Sequence, residues 1–135
     1  MSFVLDASIT MAWLFEDEAT SQTETLLDRL GAEEAVVPSL WPYEIANVLI
    51  VAERRKRITE AQGRHFTRLL SNLPIRVMEA SSAAIWDGAI NAATRYGLTV
   101  YDAAYLDLAM REGLSLATQD KALRAAAEKS GITLL

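Results

Sequence analysis

Cysteine is absent from this sequence, and histidine occurs once, at position 65. The lack of cysteine excludes disulfides and thiolate metal sites, and a single histidine leaves no cluster for zinc and no obvious Ser/His/Asp set. Any catalytic metal would have to be held by oxygen. No apolar run approaches the ~20 residues needed to span a bilayer. The N-terminal MSFVLDAS lacks the charged and apolar regions of a signal peptide, so a soluble, cytoplasmic protein is expected. The 3 prolines and 6 glycines are scattered, and there is no repeat, low-complexity tract or linker. With 135 residues, 51% of them hydrophobic, one domain over 1–135 is expected to bury one sizeable core.

Positive charge is also scarce. The net charge of −5 argues against a protein that simply coats nucleic acid. Its distribution is uneven: residues 1–50 carry nine acids and one base, residues 51–76 seven bases and two acids, and residues 77–135 five bases and seven acids. The basic run ERRKR at 53–57, with Arg64 and Arg68, could follow a phosphate backbone. It could equally be a solvated helix end, because cations are favoured there by the helix dipole.

Short β-type runs FVL (3–5), AVV (35–37), IRVM (75–78), LSLA (114–117) and ITLL (132–135) alternate with longer stretches of helical spacing. This pattern predicts an α/β fold with a largely parallel sheet of about five strands and about seven helices on its faces. Pro42 suits the first turn of a helix, and Thr59 with Gln62 forms a possible capping box. Gly97, Gly113 and Gly131 each follow a helical stretch, where a left-handed C-cap is favoured.

Asp6 directly follows the first strand, Glu44 falls in the first turn of the helix after the second, and Asp120 follows LSLAT. In an open parallel sheet the carboxyl ends of the strands share one edge, where ligands bind near the reversal of strand order. Asp102 reaches the same edge if the helix it opens starts there. Asp107 does not join it, since five residues along a helix place it roughly 140° from Asp102. It is better read as the partner of Arg111 at i+4. Each remaining acid has a purely structural account as a turn former, a dipole partner or an N-cap. Taken together they are costly: two carboxylates 4 Å apart repel by about 4 kcal/mol at an effective dielectric of 20. A hard divalent cation such as Mg²⁺ or Mn²⁺ would offset that repulsion.

The blocks VLDASI, PYEIANVL, GLTVYDAAYLDLA and LATQDKALRAAAEKSGI resemble, in order and across essentially the whole chain, the four acidic motifs of PIN-domain ribonucleases. They are most similar to the VapC toxins of prokaryotic toxin–antitoxin modules. The resemblance implies a PIN-like three-layer sandwich and a metal-dependent endoribonuclease. It further implies that Asp6, Glu44, Asp102 and Asp120 hold Mg²⁺ or Mn²⁺, and that Ser8 and Thr118 line the same catalytic pocket. RNA is the implied substrate; a cognate antitoxin and a second copy in a homodimer are the implied partners. His65 reads as a surface residue, because metal-activated water needs no histidine base. Trp13, Trp41, Trp86, Tyr43 and Tyr105 read as core by default.

Three rival classes remain. A phosphoacceptor receiver domain is also a small α/β unit with Mg²⁺-binding acids, but it needs paired acids after its first strand, where LDAS has one. A phosphatase of the haloacid-dehalogenase type wants a second aspartate where Ser8 stands. The third class is a noncatalytic interaction module whose acids only cap helices.

Overall fold

A computed structural model describes residues 1–135. Four parallel strands form one sheet in the order β3-β2-β1-β4: β1 Ser2–Leu5, β2 Glu34–Pro38, β3 Ile75–Met78 and β4 Ser115–Ala117. The helices are α1 Ala7–Leu14, α2 Ser21–Arg29, α3 Trp41–Arg54 and α4 Glu60–Ser71, followed by a helical stretch over 82–96 (α5), then α6 Val100–Glu112 and α7 Lys121–Ser130. Within α5 a π-helical turn, Ile85–Ala89, separates Ser82–Ala84 from Ile90–Tyr96. A 3₁₀ turn, Glu16–Glu18, joins α1 to α2.

The strands form because short β-branched and aliphatic runs can be buried on both faces of a parallel sheet. Phe3, Val4, Leu5, Ala35, Val36, Val37, Leu116 and Ala117 are all fully buried. Helix α6 packs across β1, β2 and β4, presenting Ala103, Tyr105, Leu106, Leu108 and Ala109. Each such large aliphatic or aromatic side chain stabilises the fold by about 1.5–3 kcal/mol relative to exposure.

The expected fifth strand is reduced to one bridge. Segment 132–135 pairs with β4 only around Leu116, whose N–H donates to Thr133 O (2.9 Å) and whose carbonyl accepts from Leu135 N (3.0 Å). Gly131, left-handed at φ 77°, closes α7 immediately before it, so little chain remains to extend the pairing. The other helix signals hold. Thr59 and Gln62 make a reciprocal capping box, Pro42 sits in the first turn of α3, and Gly97 and Gly113 are left-handed C-caps.

The aromatics divide. Tyr105 and Trp41 are core, and Trp13 is partly buried against it with its indole N–H donating to Thr23 O (2.8 Å). Trp86 and Tyr43 are not core, being 62% and 80% exposed. On α3 the buried stripe runs Trp41, Ile45, Leu49, Ala52, and Tyr43 lies off that stripe.

The sheet order places the reversal between β1 and β4. From β1 the chain adds β2 and then β3 on one side, and only afterwards returns to lay β4 on the other. The carboxyl ends of β1 and β4 therefore flank the crevice where such sheets bind ligands.

Candidate active site

Asp6 follows β1 at that crevice and is 6% exposed. Its backbone N–H donates to Ala117 O at the end of β4 (3.0 Å). Its carbonyl is backed by Thr10 Oγ1 (3.5 Å), which accepts from the indole N–H of Trp41 (3.2 Å). The side chain is held from two directions: Ser8 Oγ and Thr118 Oγ1 each donate to Asp6 Oδ2 at 2.7 Å. Both hydroxyls also accept, Ser8 from Gln119 N (2.9 Å) and Thr118 from Asp120 N (3.0 Å). Ser8 thus bridges the end of β1 and the loop after β4. Because both hydroxyls choose Oδ2, Oδ1 has no side-chain partner.

Glu44, half-buried in the first turn of α3, accepts a hydrogen bond on Oε1 from the hydroxyl of Tyr105. Asp102, half-buried in the first turn of α6, is not the reciprocal member of a capping box. Thr99 Oγ1 accepts from Asp102 N (3.1 Å), but the aspartate carboxylate makes no return bond. Asp120 is the N-cap of α7, its Oδ1 accepting from Leu123 N (2.8 Å). The structural account of Asp120 is thus correct for one oxygen and leaves the other unassigned.

The carboxylates feel one another. Burial raises the Asp6 pKa, the Thr118 and Ser8 hydrogen bonds oppose that rise, and the charge of Asp120 adds to it. Burial raises Glu44 also, against the Tyr105 hydrogen bond, with Asp6 and Asp102 adding to the rise. Asp102 is raised by burial and then by Asp120 and Asp6. No arginine or lysine enters these balances. The six ion pairs of the molecule all lie elsewhere and include none of the four acids.

These residues share a rim rather than a single point, for no three acidic or histidine side chains converge tightly enough to form a preformed metal cage. An all-oxygen donor set nevertheless fits a hard divalent cation. Mg²⁺ typically keeps several waters and is bound through one or two carboxylates plus substrate phosphates. Asp107 stands apart as expected, paired with Arg111 at 2.9 Å. His65 is exposed on α4 and lines a separate cavity of about 540 Å³ with Trp13, Phe15 and Phe66.

The basic run does not border the acids. Arg54 lies ten residues along α3 from Glu44, about 15 Å of helix. Arg57 is engaged by Asp17 (2.7 Å) and stacked over Phe15, 3.7 Å from the ring centroid, while Arg64 pairs with Glu60 at 3.8 Å. Sequence reasoning missed Tyr105 as a member of the site. Its position three residues after Asp102 was the available signal, because i and i+3 share a helix face.

The model of the PIN domain matches residues 3–129. The chain belongs to the PIN-domain family. Ribonuclease VapC3 of Pyrobaculum aerophilum is 32% identical to this PIN-domain chain over 123 residues, covering 91% of the chain and 92% of the relative. Exonuclease VapC9 of the same organism is 35% identical over 69% of the chain and 67% of its own length. Among solved structures, PAE2754 from P. aerophilum superposes with a TM-score of 0.73 at 27% identity, covering 99% of this chain and 83% of that one. A toxin–antitoxin complex from Klebsiella pneumoniae contains the same fold, with a TM-score of 0.63 at 17% identity over 87% of this chain and 86% of that one. PIN-domain architecture accounts for the three-layer arrangement, with four strands where about five were expected.

Proposed function

We propose that this PIN-domain chain is a divalent-metal-dependent ribonuclease that cuts RNA internally and acts as the toxin of a VapBC-type toxin–antitoxin pair. The observation that carries the reading is the uncompensated charge at the rim. Asp6, Glu44, Asp102 and Asp120 come from four separate parts of the chain and enter no ion pair, and neighbouring carboxylates add to the raised pKa values of Asp6, Glu44 and Asp102. A cluster with no charge partner in the protein is most simply completed by a cation from solution. The ribonuclease name of the relative matched over nearly its whole length supports RNA as substrate, and the toxin–antitoxin complex of the same fold supports an antitoxin partner. No helix is long and apolar enough to cross a membrane, which is compatible with action in the cytoplasm. The core cluster draws on β1, β2 and β4, with Ile75 and Met78 of β3 packed against it, and supports one domain; a homodimer is part of the proposal by kinship.

Asp6, Glu44, Asp102 and Asp120 would hold Mg²⁺ or Mn²⁺. The bound ion would supply Lewis-acid chemistry, stabilising charge on phosphate oxygens and activating water. The chain's own contribution is positional. Ser8 and Thr118 fix the rotamer of Asp6 by both donating to Oδ2, and the N-cap bond of Asp120 fixes that carboxylate against α7. Preorganisation of this kind spares the reorganisation that flexible ligands would need at the moment of reaction. No protein base is required, consistent with the placement of His65 away from the rim.

The test is cleavage of a labelled circular RNA with Mn²⁺ or EDTA by wild type and Asp6→Asn. Only an endonuclease can open a circle. Opening that persists in EDTA, or in the variant, would refute the metal mechanism; degradation of linear RNA alone would assign an exonuclease instead, the activity named in the second relative.

A further inference from the structure

Tyr105 is fully buried in α6, yet its hydroxyl emerges from the core at one place, where it donates to Glu44 Oε1. We propose that Tyr105 is a positioning residue of the metal site, which turns Glu44 so that its second oxygen, Oε2, faces the space shared with Asp6 and Asp102. The inference rests on the metal-dependent reading above and deepens it.

Three observations support it. First, Glu44 has no other side-chain hydrogen bond and no ion pair, so Tyr105 is its only restraint beyond its own backbone. Second, the tyrosine ring is itself immobile, packed in the core among residues of α6 and the sheet, and a donor held this firmly can select one carboxylate rotamer. Third, α6 delivers Tyr105 and Asp102 from one stripe, three residues apart. A shift of that helix would therefore move the Asp102 carboxylate and the restraint on Glu44 together.

The hydrogen bond joins two elements that do not meet elsewhere through polar side chains, α3 and α6. Partners that orient a metal-ligating carboxylate from behind commonly change metal affinity by 10–100-fold when removed. A tyrosine that merely filled the core would have no such effect, because Phe fills the same space.

Mn²⁺ binding measured by titration calorimetry without RNA decides the matter, using full-length wild type, Tyr105→Phe, Glu44→Gln and the double variant, each first shown to unfold cooperatively. The expected result is Mn²⁺ affinity about 10–100-fold weaker in Tyr105→Phe, with no further loss when Tyr105→Phe is added to Glu44→Gln. Unchanged affinity in Tyr105→Phe, or a loss of equal size in both backgrounds, overturns the inference, since the hydroxyl would then not act through Glu44. Absence of Mn²⁺ binding by wild type would instead overturn the metal-dependent reading itself.

Discussion

Two kinds of acidic residue coexist in this chain. Away from the sheet edge, some carboxylates are paired within the protein and most of the others are exposed to solvent: Glu33 takes both nitrogens offered by Arg29 (2.6 and 2.9 Å), Asp17 takes Arg57, and Asp107 takes Arg111. The pairing with Arg29 lowers the pKa of Glu33. At the carboxyl edge the sign reverses, and Asp6, Glu44 and Asp102 are all raised, burial being the first cause. The chain thus pairs its surface acids or leaves them to solvent, whereas those at the strand-order reversal are partly or wholly buried and have no ion pair. Burial without an ion pair is what marks Asp6, Glu44 and Asp102 as candidate ligands here.

The comparison is broken most severely by removing one unmatched acid. Asp6→Asn should reduce RNA cleavage by more than about 100-fold, exceeding the loss typical of outer-shell changes, as measured by initial rates in saturating Mn²⁺. Reversing free bases is expected to act more gently. Arg54→Glu with Arg55→Glu should weaken RNA binding about tenfold at low salt and make the slope of log affinity against log salt shallower by about two. Equal affinity in a salt titration would mark that segment as a solvated helix end.

On the matched side, Gly88 in the π-helical turn passes so close to α6 that a Cβ there would lie 2.7 Å from both Asp107 carboxylate oxygens. Gly88→Ala should therefore cost about 1–3 kcal/mol in denaturant unfolding, and adding Asp107→Ala should recover part of the loss.

The unmatched side also has a pH signature. A carboxylate whose folded pKa is raised holds its proton longer in the native state than in the unfolded chain. Stability from this source is present below the ordinary values of 3.8 and 4.5 and is lost as pH rises through the raised ones. Melting in EDTA should accordingly show Asp6→Asn gaining a few degrees over wild type at neutral pH, with the gain shrinking on addition of Mn²⁺. The smallest effect belongs to an exposed pair: Arg57→Ala should lose about 1 kcal/mol or less, from the Phe15 stacking and the Asp17 contact together.

The strands and the acidic edge were legible because hydrophobic runs and strand-end acids are local features of the sequence. The Asp107–Arg111 pair was equally legible, being a spacing on one helix. What escaped depends on contacts between distant segments. The hydroxyl of Tyr105 reads as core until α3 is packed beside it. The π-helical turn reads as ordinary helix, and the need for glycine at 88 arises only when Asp107 is brought against it. Likewise ITLL has the composition of a strand, but pairing is limited to the residues flanking Leu116.

The cradle of Asp6 spans nearly the full length of the polypeptide, with Thr118 112 positions away in the chain. During synthesis, an emerging polypeptide that already displays Asp6 and Ser8 still lacks the segment after β4 that holds them. The two-sided hold on the Asp6 carboxylate therefore forms only after β4 has left the ribosome and docked.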